Sequence, residues 1–332
     1  MKHTSILIVC VAACAAALLA AAPDNRTHPQ DVAPQATRMV AITFDDLPAP
    51  VPGVVSNQPA AVLEMTRRLV EKITAAGVPA VGFVNEGKLY VTPNAAEART
   101  DALRVWTAAG LELGNHTYSH SGLQRTILSE MQHDVVRGEE VTRKLLEGRG
   151  RKLRYFRHPY LQVGPDLRAR RLFEEFLERQ GYTVAPVTID NGDYIFAAAY
   201  ARALRRKNTD EAKKLADAYV EYMGTMVEFF ESVSQEVAGR EIRHVLLLHA
   251  NQINADHFDR IAELFAKRGY RFVSLEEALE DPIYQSPDTY TGAWGISWLH
   301  HWALTAGKRR RPDPDPPEWV MELYNLAAEE RN

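Results

Sequence analysis

From Arg38 to about Leu279 the chain alternates short apolar runs with longer amphipathic ones, and this alternation narrows the fold more than any other feature. Met39–Phe44, Ala80–Asn85, Leu111–Asn115, Leu153–Arg157, Tyr182–Ile189, His244–His249 and Tyr270–Val273 have the length and composition of buried strands. Between them Gln58–Ala76, Ala95–Ala109, about Ser121–Glu147, Asp166–Arg179, Asp256–Lys267 and Leu275–Leu279 read as helices, some ended by glycine at Gly77, Gly110 and Gly181. A longer helical stretch, roughly Tyr200–Val237, has the charge pattern of two helices. Such alternation predicts an α/β fold, a mainly parallel sheet wrapped by helices. Where such a sheet closes as a barrel, its site lies at the carboxyl ends of the strands. No internal repeat is visible.

Composition bounds the rest. With 332 residues, 46% of them hydrophobic, the chain can bury one large core without a disulfide or metal staple. A formal net charge of −4, from 39 Lys+Arg against 43 Asp+Glu, carries no basic excess for nucleic acid or an anionic membrane. Met1-Lys2-His3 followed by the apolar run Ile6 to Ala22 reads as a signal peptide over 1–22, with Ala20 and Ala22 as small residues at the cut. An uncleaved anchor, or a lipobox at Val11-Ala12-Ala13-Cys14, are the other readings of this run. Export to the periplasm or the exterior follows, with no transmembrane domain after cleavage. Both cysteines, Cys10 and Cys14, lie inside the run, so any metal in the mature chain must be held by His, Asp or Glu. A polar linker occupies 23–37, the alternating domain 38–281 with a helical insertion at about 195–238, and an extension 282–332.

The chemically suggestive residues all fall at strand exits. Asp45 and Asp46 follow the first strand, His116 and His120 the third, Arg157 the fourth, Asp190 and Asp193 the fifth and His249 the sixth. Each alone has a bland reading: exposed turn aspartates, a surface arginine, an Asn-Gly turn at Asn191-Gly192, a hydrogen-bonded strand-end histidine. Together they lie where a parallel barrel gathers its exits. Two histidines four apart with Asp46 offer three ligands and leave a position open for water, the pattern of catalytic zinc sites. The neighbouring carboxylate is then free to act as a base. Adjacent carboxylates do not suit a glycosidase, whose pair must flank the scissile bond. Arg157 is placed to pair with a catalytic carboxylate and lower its pKa.

In this order the five segments resemble the NodB-homology polysaccharide deacetylases, carbohydrate esterase family 4, over about Arg38 to Leu279. The resemblance implies a distorted, incomplete (β/α) barrel. In Thr43-Phe44-Asp45-Asp46 it makes Asp45 the general base and Asp46 a metal ligand. In His116-Thr117-Tyr118-Ser119-His120 both histidines are ligands. In Arg157-His158-Pro159-Tyr160 the arginine orients the base, and the Tyr160 N–H helps hold the oxyanion. Asp190-Asn191-Gly192-Asp193-Tyr194 has Tyr where the family has Trp, and its Asp193 tunes the histidine of Leu247-Leu248-His249, the general acid. The cofactor implied is a divalent cation, zinc first, with cobalt or manganese as alternatives. The substrate implied is an N-acetylated glycan, peptidoglycan-like or chitin-like, that loses acetate. An esterase or amidase of the same fold, acting on O-acetylated xylan or a small amide, and a carbohydrate-binding pseudoenzyme are the competing readings.

Two regions exceed the resemblance. The helical insertion joins two strands at the rim and is read either as a wall of the cleft or as an extension of the outer ring. In the tail, Trp294, Trp298 and Trp302 recur every fourth residue, which on a helix makes one stripe, read either as packed on the barrel or as a surface that stacks on sugar rings. His300 and His301 beside them read as packing residues, Pro312–Pro317 as a stiff linker, and Glu318–Glu329 as a last helix.

Overall fold

The computed structural model describes residues 1, 38–50, 53–91 and 95–330. The expected signal peptide beyond Met1, the linker and both cysteines lie outside the described residues. Among the described residues no helix is long and apolar enough to cross a membrane.

Strand and helix alternate through most of the chain. β1 (Arg38–Leu47) is followed by α1 (Pro59–Ala75), β2 (Val81–Val84), α2 (Ala96–Ala108) and β3 (Glu112–Asn115). Two helices, α3 (Leu128–Arg137) and α4 (Glu140–Glu147), precede β4 (Tyr155–Phe156), and α5 (Leu167–Arg179) precedes β5 (Thr183–Val184). Next come α6 (Asp193–Arg205), α7 (Thr209–Ala238), β6 (Arg243–His249), α8 (Gln252–Lys267), β7 (Tyr270–Phe272) and α9 (Leu275–Leu279). The tail adds α10 (Trp298–Thr305) and α11 (Glu318–Glu329).

All seven strands belong to one parallel sheet in the order β5-β4-β3-β2-β1-β6, with β7 beside the start of β1. Past β5 the chain reaches round to β6 through a parallel bridge between Ile189 and Leu246. The sheet therefore curls into an incomplete barrel with helices around it, the α/β architecture that the strand–helix alternation and the motif resemblance both imply.

Period-two alternation sorts β1 into two faces. Val40, Ile42 and Phe44 join the main core under the helices, and Ala41 joins a smaller inner cluster with Val81, Phe83, Tyr155 and Val245. Thr43 and Asp45 continue that inner face upward to the mouth. α1 shows how the outer layer is written. Pro59 opens it, and Val62, Met65, Leu69, Val70 and Ile73 recur at helical spacing on its buried side.

Several boundaries differ from the sequence reading. The single helix expected over Ser121–Glu147 is two, separated at Gly138. A Cβ there would meet the Thr117 carbonyl carbon at 2.5 Å, so the glycine permits the close approach that braces the histidine-bearing loop. β4 and β5 hold only two residues each, because β4 exits at once into the Arg157 turn and β5 leaves the sheet before Ile189 rejoins it.

The tail departs furthest from expectation. Trp298 and Trp302 lie on α10 and are buried, but Trp294 precedes the helix and is exposed, so the expected stripe of three is a pair. Before α10 the tail binds the incomplete side of the barrel, Trp298 N–H donating to Val187 O at 2.7 Å and Ser297 Oγ to Thr188 O at 2.9 Å. His300 and His301 are buried and pair with Asp313 and Asp288. Neither joins the ligand cluster described below.

Candidate metal centre and catalytic cleft

At the mouth the backbone, as much as the side chains, builds the site. β1 runs on through Leu47, so alternation alone would turn Asp46 outward with Phe44. Instead Asp46 adopts φ 71, and the register with β2 shifts between Phe44 and Leu47. This irregularity brings both carboxylates to the cleft. Of the six non-glycine residues with positive φ among the described residues, five are Asp46, Thr117, His120, Tyr160 and Leu161, in or directly beside the strand-exit motifs. Such conformations persist only where surrounding bonds enforce them. The His116–His120 loop has those bonds: Asn115 Oδ1 accepts from Thr117 N at 2.7 Å, and Thr117 Oγ1 accepts from His120 N at 3.0 Å.

Asp46, His116 and His120 come together. One ligand atom from each lies within 4.8 Å of the others. His116 Nε2 is 3.9 Å and His120 Nε2 3.4 Å from Asp46 Oδ1. Ligands about 2.1 Å from a tetrahedral ion would sit roughly 3.4 Å apart, so the spacing fits a small dication. Asp46 Oδ1 is buried and accepts no hydrogen bond of good geometry. His116 Nδ1 must donate to the Arg157 carbonyl, 2.8 Å away, which leaves its Nε2 lone pair facing Asp46. Burial, with His120 nearby, holds the His116 pKa well below its ordinary range, and burial also pushes His120 down to about 4. Both imidazoles are thus neutral at pH 7, as ligation requires. The residues fit a divalent cation, and two imidazoles with a carboxylate suit zinc.

Lys88 was missed by sequence reasoning. On the turn after β2, its Nζ lies 2.8 Å from Asp46 Oδ1. Although burial raises the Asp46 pKa, Lys88 and His120 outweigh it and hold the carboxyl well below the usual range. The ammonium competes for the carboxylate that a dication would need. A unit charge near a dication costs about 2 kcal/mol at 4 Å even in water. Lys88→Met should therefore tighten zinc binding about tenfold or more, measured by calorimetry. Unchanged affinity would mean that Lys88 leaves the carboxylate freely.

Behind the triad sits Asp45, buried and aligned with Arg157. Arg157 Nη1 is 3.4 Å from Asp45 Oδ1, and Nη2 donates to Thr43 Oγ1 at 2.9 Å while the guanidinium lies over Phe83. The sequence reading expected Arg157 to lower the pKa of its partner. Arg157 and His249 do pull it down, but burial outweighs both and raises Asp45 to about 6. Arg157 thus acts in the expected direction, and the net rise comes from burial of the carboxylate away from solvent.

Asp45 stands directly opposite His249 in the β1–β6 register. His249 Nδ1 donates to Asp193 Oδ1 at 2.6 Å, and His249 N–H donates to Asp193 Oδ2 at 2.9 Å. Asn251 Nδ2 and Asn254 Nδ2 also donate to Oδ2, at 2.9 and 2.7 Å. Burial alone would lower His249, but the Asp193 carboxylate outweighs it and raises the imidazole to about 9. Asn251 and Asn254 escaped notice because asparagines opening a helix look like caps. Asn251 is one, accepting from Asn254 N at 3.0 Å, and it also braces the dyad.

Tyr160 and Tyr194 flank the centre. The Tyr160 ring meets His120 at 4.4 Å, and the Tyr194 ring faces His249 at 6.3 Å and Tyr324 of α11 at 6.0 Å. Asp190 does not reach the triad. It lines a cavity of about 570 Å³ with Tyr194, Tyr222 and Asp313, and burial raises its pKa.

No curated protein matches the chain. Among solved structures, the peptidoglycan deacetylase PdaC from Bacillus subtilis is 20% identical, with 74% of this chain and 93% of that chain covered and a TM-score of 0.46. A polysaccharide deacetylase from Bacillus cereus is 17% identical over 71% and 91% of the two chains, with a TM-score of 0.48. A CE4 family pseudoenzyme from Bacillus anthracis is 15% identical over 74% and 66%, with a TM-score of 0.47. The model of the polysaccharide deacetylase family matches residues 33–176, the stretch that carries the first three strand-exit motifs, and over that stretch the chain is similar to the polysaccharide deacetylases.

Proposed function

We propose that this protein is an exported, metal-dependent hydrolase that removes N-acetyl groups from the amino sugars of a peptidoglycan-like or chitin-like glycan and releases acetate. The observation that carries the reading is geometric: beside one buried ligand triad, Asp45, paired with Arg157, stands opposite His249, paired with Asp193, and their environments raise Asp45 to about 6 and His249 to about 9. Between these values one is ionised and the other protonated, the pairing that base-then-acid hydrolysis of an amide needs. The apolar run at Ile6 to Ala22 supports export.

Asp46, His116 and His120 would hold the cation, which supplies Lewis-acid polarisation of the acetyl carbonyl and of the attacking water. Asp45 accepts the proton as the water oxygen bonds to the carbonyl carbon. Arg157, fixed by Thr43 and Phe83, keeps Asp45 in line. The Tyr160 N–H is the proposed donor to the oxyanion. His249 Nε2 then protonates the departing nitrogen as the C–N bond breaks, leaving acetate and a free amine. Asp193 holds His249 in the tautomer that puts this proton on the cleft side.

The test is acetate release by zinc-loaded protein from peptidoglycan, N-acetylated chitooligosaccharides and acetylxylan. Release from an amino-sugar polymer is expected, and a chelator should reduce it at least about a thousandfold, with zinc restoring it. Release from acetylxylan alone would move the reading to an esterase. Sugar binding without release from any of them would make the chain a pseudoenzyme.

A further inference from the structure

Among the described residues four aromatic side chains are strongly exposed: Tyr90 at 51%, Tyr160 at 59%, Tyr194 at 47% and Trp294 at 72%. Large aromatics elsewhere are buried or half-buried, so the position of these four is informative. Three of them line the same mouth, and the fourth is carried beside it on the Tyr160 turn. Tyr90 ends the turn that carries Lys88 and stacks on Tyr118 between the two ligand histidines, centroids 6.2 Å apart. Tyr160 covers His120, and Tyr194 faces His249. Trp294 is the outlier, since it lies in the tail, beyond the last of the strand-exit motifs. Its neighbour Gly295 explains how it arrives there. A Cβ on Gly295 would fall 1.7 Å from the Tyr160 carbonyl oxygen, so the tail presses backbone to backbone on the Tyr160 turn. Tyr290 Oη donating to Trp294 O at 2.6 Å, and Gln162 Nε2 donating to Ala293 O at 3.5 Å, hold the segment there.

We infer that Trp294 and Tyr160 form an outer sugar-binding subsite contributed by the tail, so that the protein takes a chain of several pyranose rings rather than a free amino sugar. A pyranose has an apolar C–H face bounded by hydroxyls. Isolated aromatic faces separated by polar groups, here Gln162, Lys88 and Asp190, suit that alternation. A protein-docking face would instead need a continuous apolar patch. The two buried tail tryptophans anchor the segment, and the exposed one is left free to bind. This inference rests on reading the centre as an amino-sugar deacetylase, which names the ligand class.

The closing experiment separates the two. Trp294 is the exposed tryptophan among the described residues, so acrylamide quenching reports on it. In an Asp45→Asn background, which leaves ligand intact, N-acetylchitotetraose or a peptidoglycan tetrasaccharide should protect Trp294 from quenching. In the active protein, Trp294→Ala should raise KM for the tetrasaccharide at least about fivefold, with a smaller effect on the disaccharide and most of the loss in KM rather than kcat. Trp294→Phe should recover much of it. Protection without acetate release would sustain the subsite and sink the deacetylase reading. Acetate release with an unchanged KM for Trp294→Ala, or no protection by either tetrasaccharide, would overturn the subsite.

Discussion

Replacing Asp45 with Asn is expected to lower kcat by about 10²- to 10⁴-fold while zinc still binds one per chain, about tenfold or more weaker because a negative charge beside the ion is lost. The grouping of the ligand atoms separates the two effects. Asp45 Oδ2 is 3.6 Å from His116 Nε2, but the mutually close ligand set is Asp46, His116 and His120, so the amide removes the base and leaves the triad. The loss should not come from unfolding. A folded-state pKa near 6 against 3.8 means that stability falls as pH rises through that interval, so the ionised carboxylate already costs about 3 kcal/mol at neutral pH. Neutralising it removes that cost. Leaving the buried Arg157 without a counter-charge adds a penalty of similar size, about 3 kcal/mol. The two oppose, and the Tm of Asp45→Asn should stay within a few degrees of the parent protein. A variant that keeps kcat within tenfold of the parent refutes Asp45 as the base. A variant that loses zinc refutes the separation of the pair into base and ligand.

Much of this site could be read before any coordinates, for a physical reason. Parallel strands deliver their exits to one rim, so a residue's place at a strand end is legible from local pattern even when its partners are far away. That is how Asp46, His116 and His120 could be grouped across seventy residues. What could not be read is whatever depends on direction past the strand. Asp46 needed an irregular φ to face inward, and nothing in Thr43-Phe44-Asp45-Asp46 states it. Lys88 sits in an ordinary polar turn and becomes notable only because β2 neighbours β1. The tryptophans misled because a four-residue spacing fits a helix, whereas α10 begins at Ser297-Trp298 and the loop before it answers to Tyr160. The net shift of Asp45 was hidden for a similar reason: the lowering by Arg157 is visible as residue types, but the burial that outweighs it is a property of the whole fold.

Asp193→Asn should be nearly as damaging as loss of the base, and its signature is the pH profile. In the parent protein kcat/KM should form a bell. The acid limb reports ionisation of Asp45 at or below about 6, since a bound dication adds positive charge beside it, and the alkaline limb reports loss of the His249 proton near 9. His249 keeps that proton above neutrality chiefly because the Asp193 carboxylate overrides burial, with Asp46 and Asp45 adding smaller contributions. An amide at 193 cancels the charge, leaving burial to push the imidazole below its ordinary value. The alkaline limb should therefore move by two units or more toward acid, closing the bell from the right. At pH 7.5 activity should fall by about 10²- to 10³-fold, more than the shift alone predicts. The side chain now accepts the His249 N–H, His249 Nδ1–H and two asparagine amides, and an amide has one acceptor oxygen for four donors. Some donors are left unpaired, and the imidazole loses its fixed tautomer. Zinc affinity, set by the triad, should change little, which distinguishes this variant from any His116 or His120 substitution. If Asp193→Asn keeps its alkaline limb near 9, then Asp193 does not tune His249, and the proton for the departing amine must come from elsewhere in the cleft.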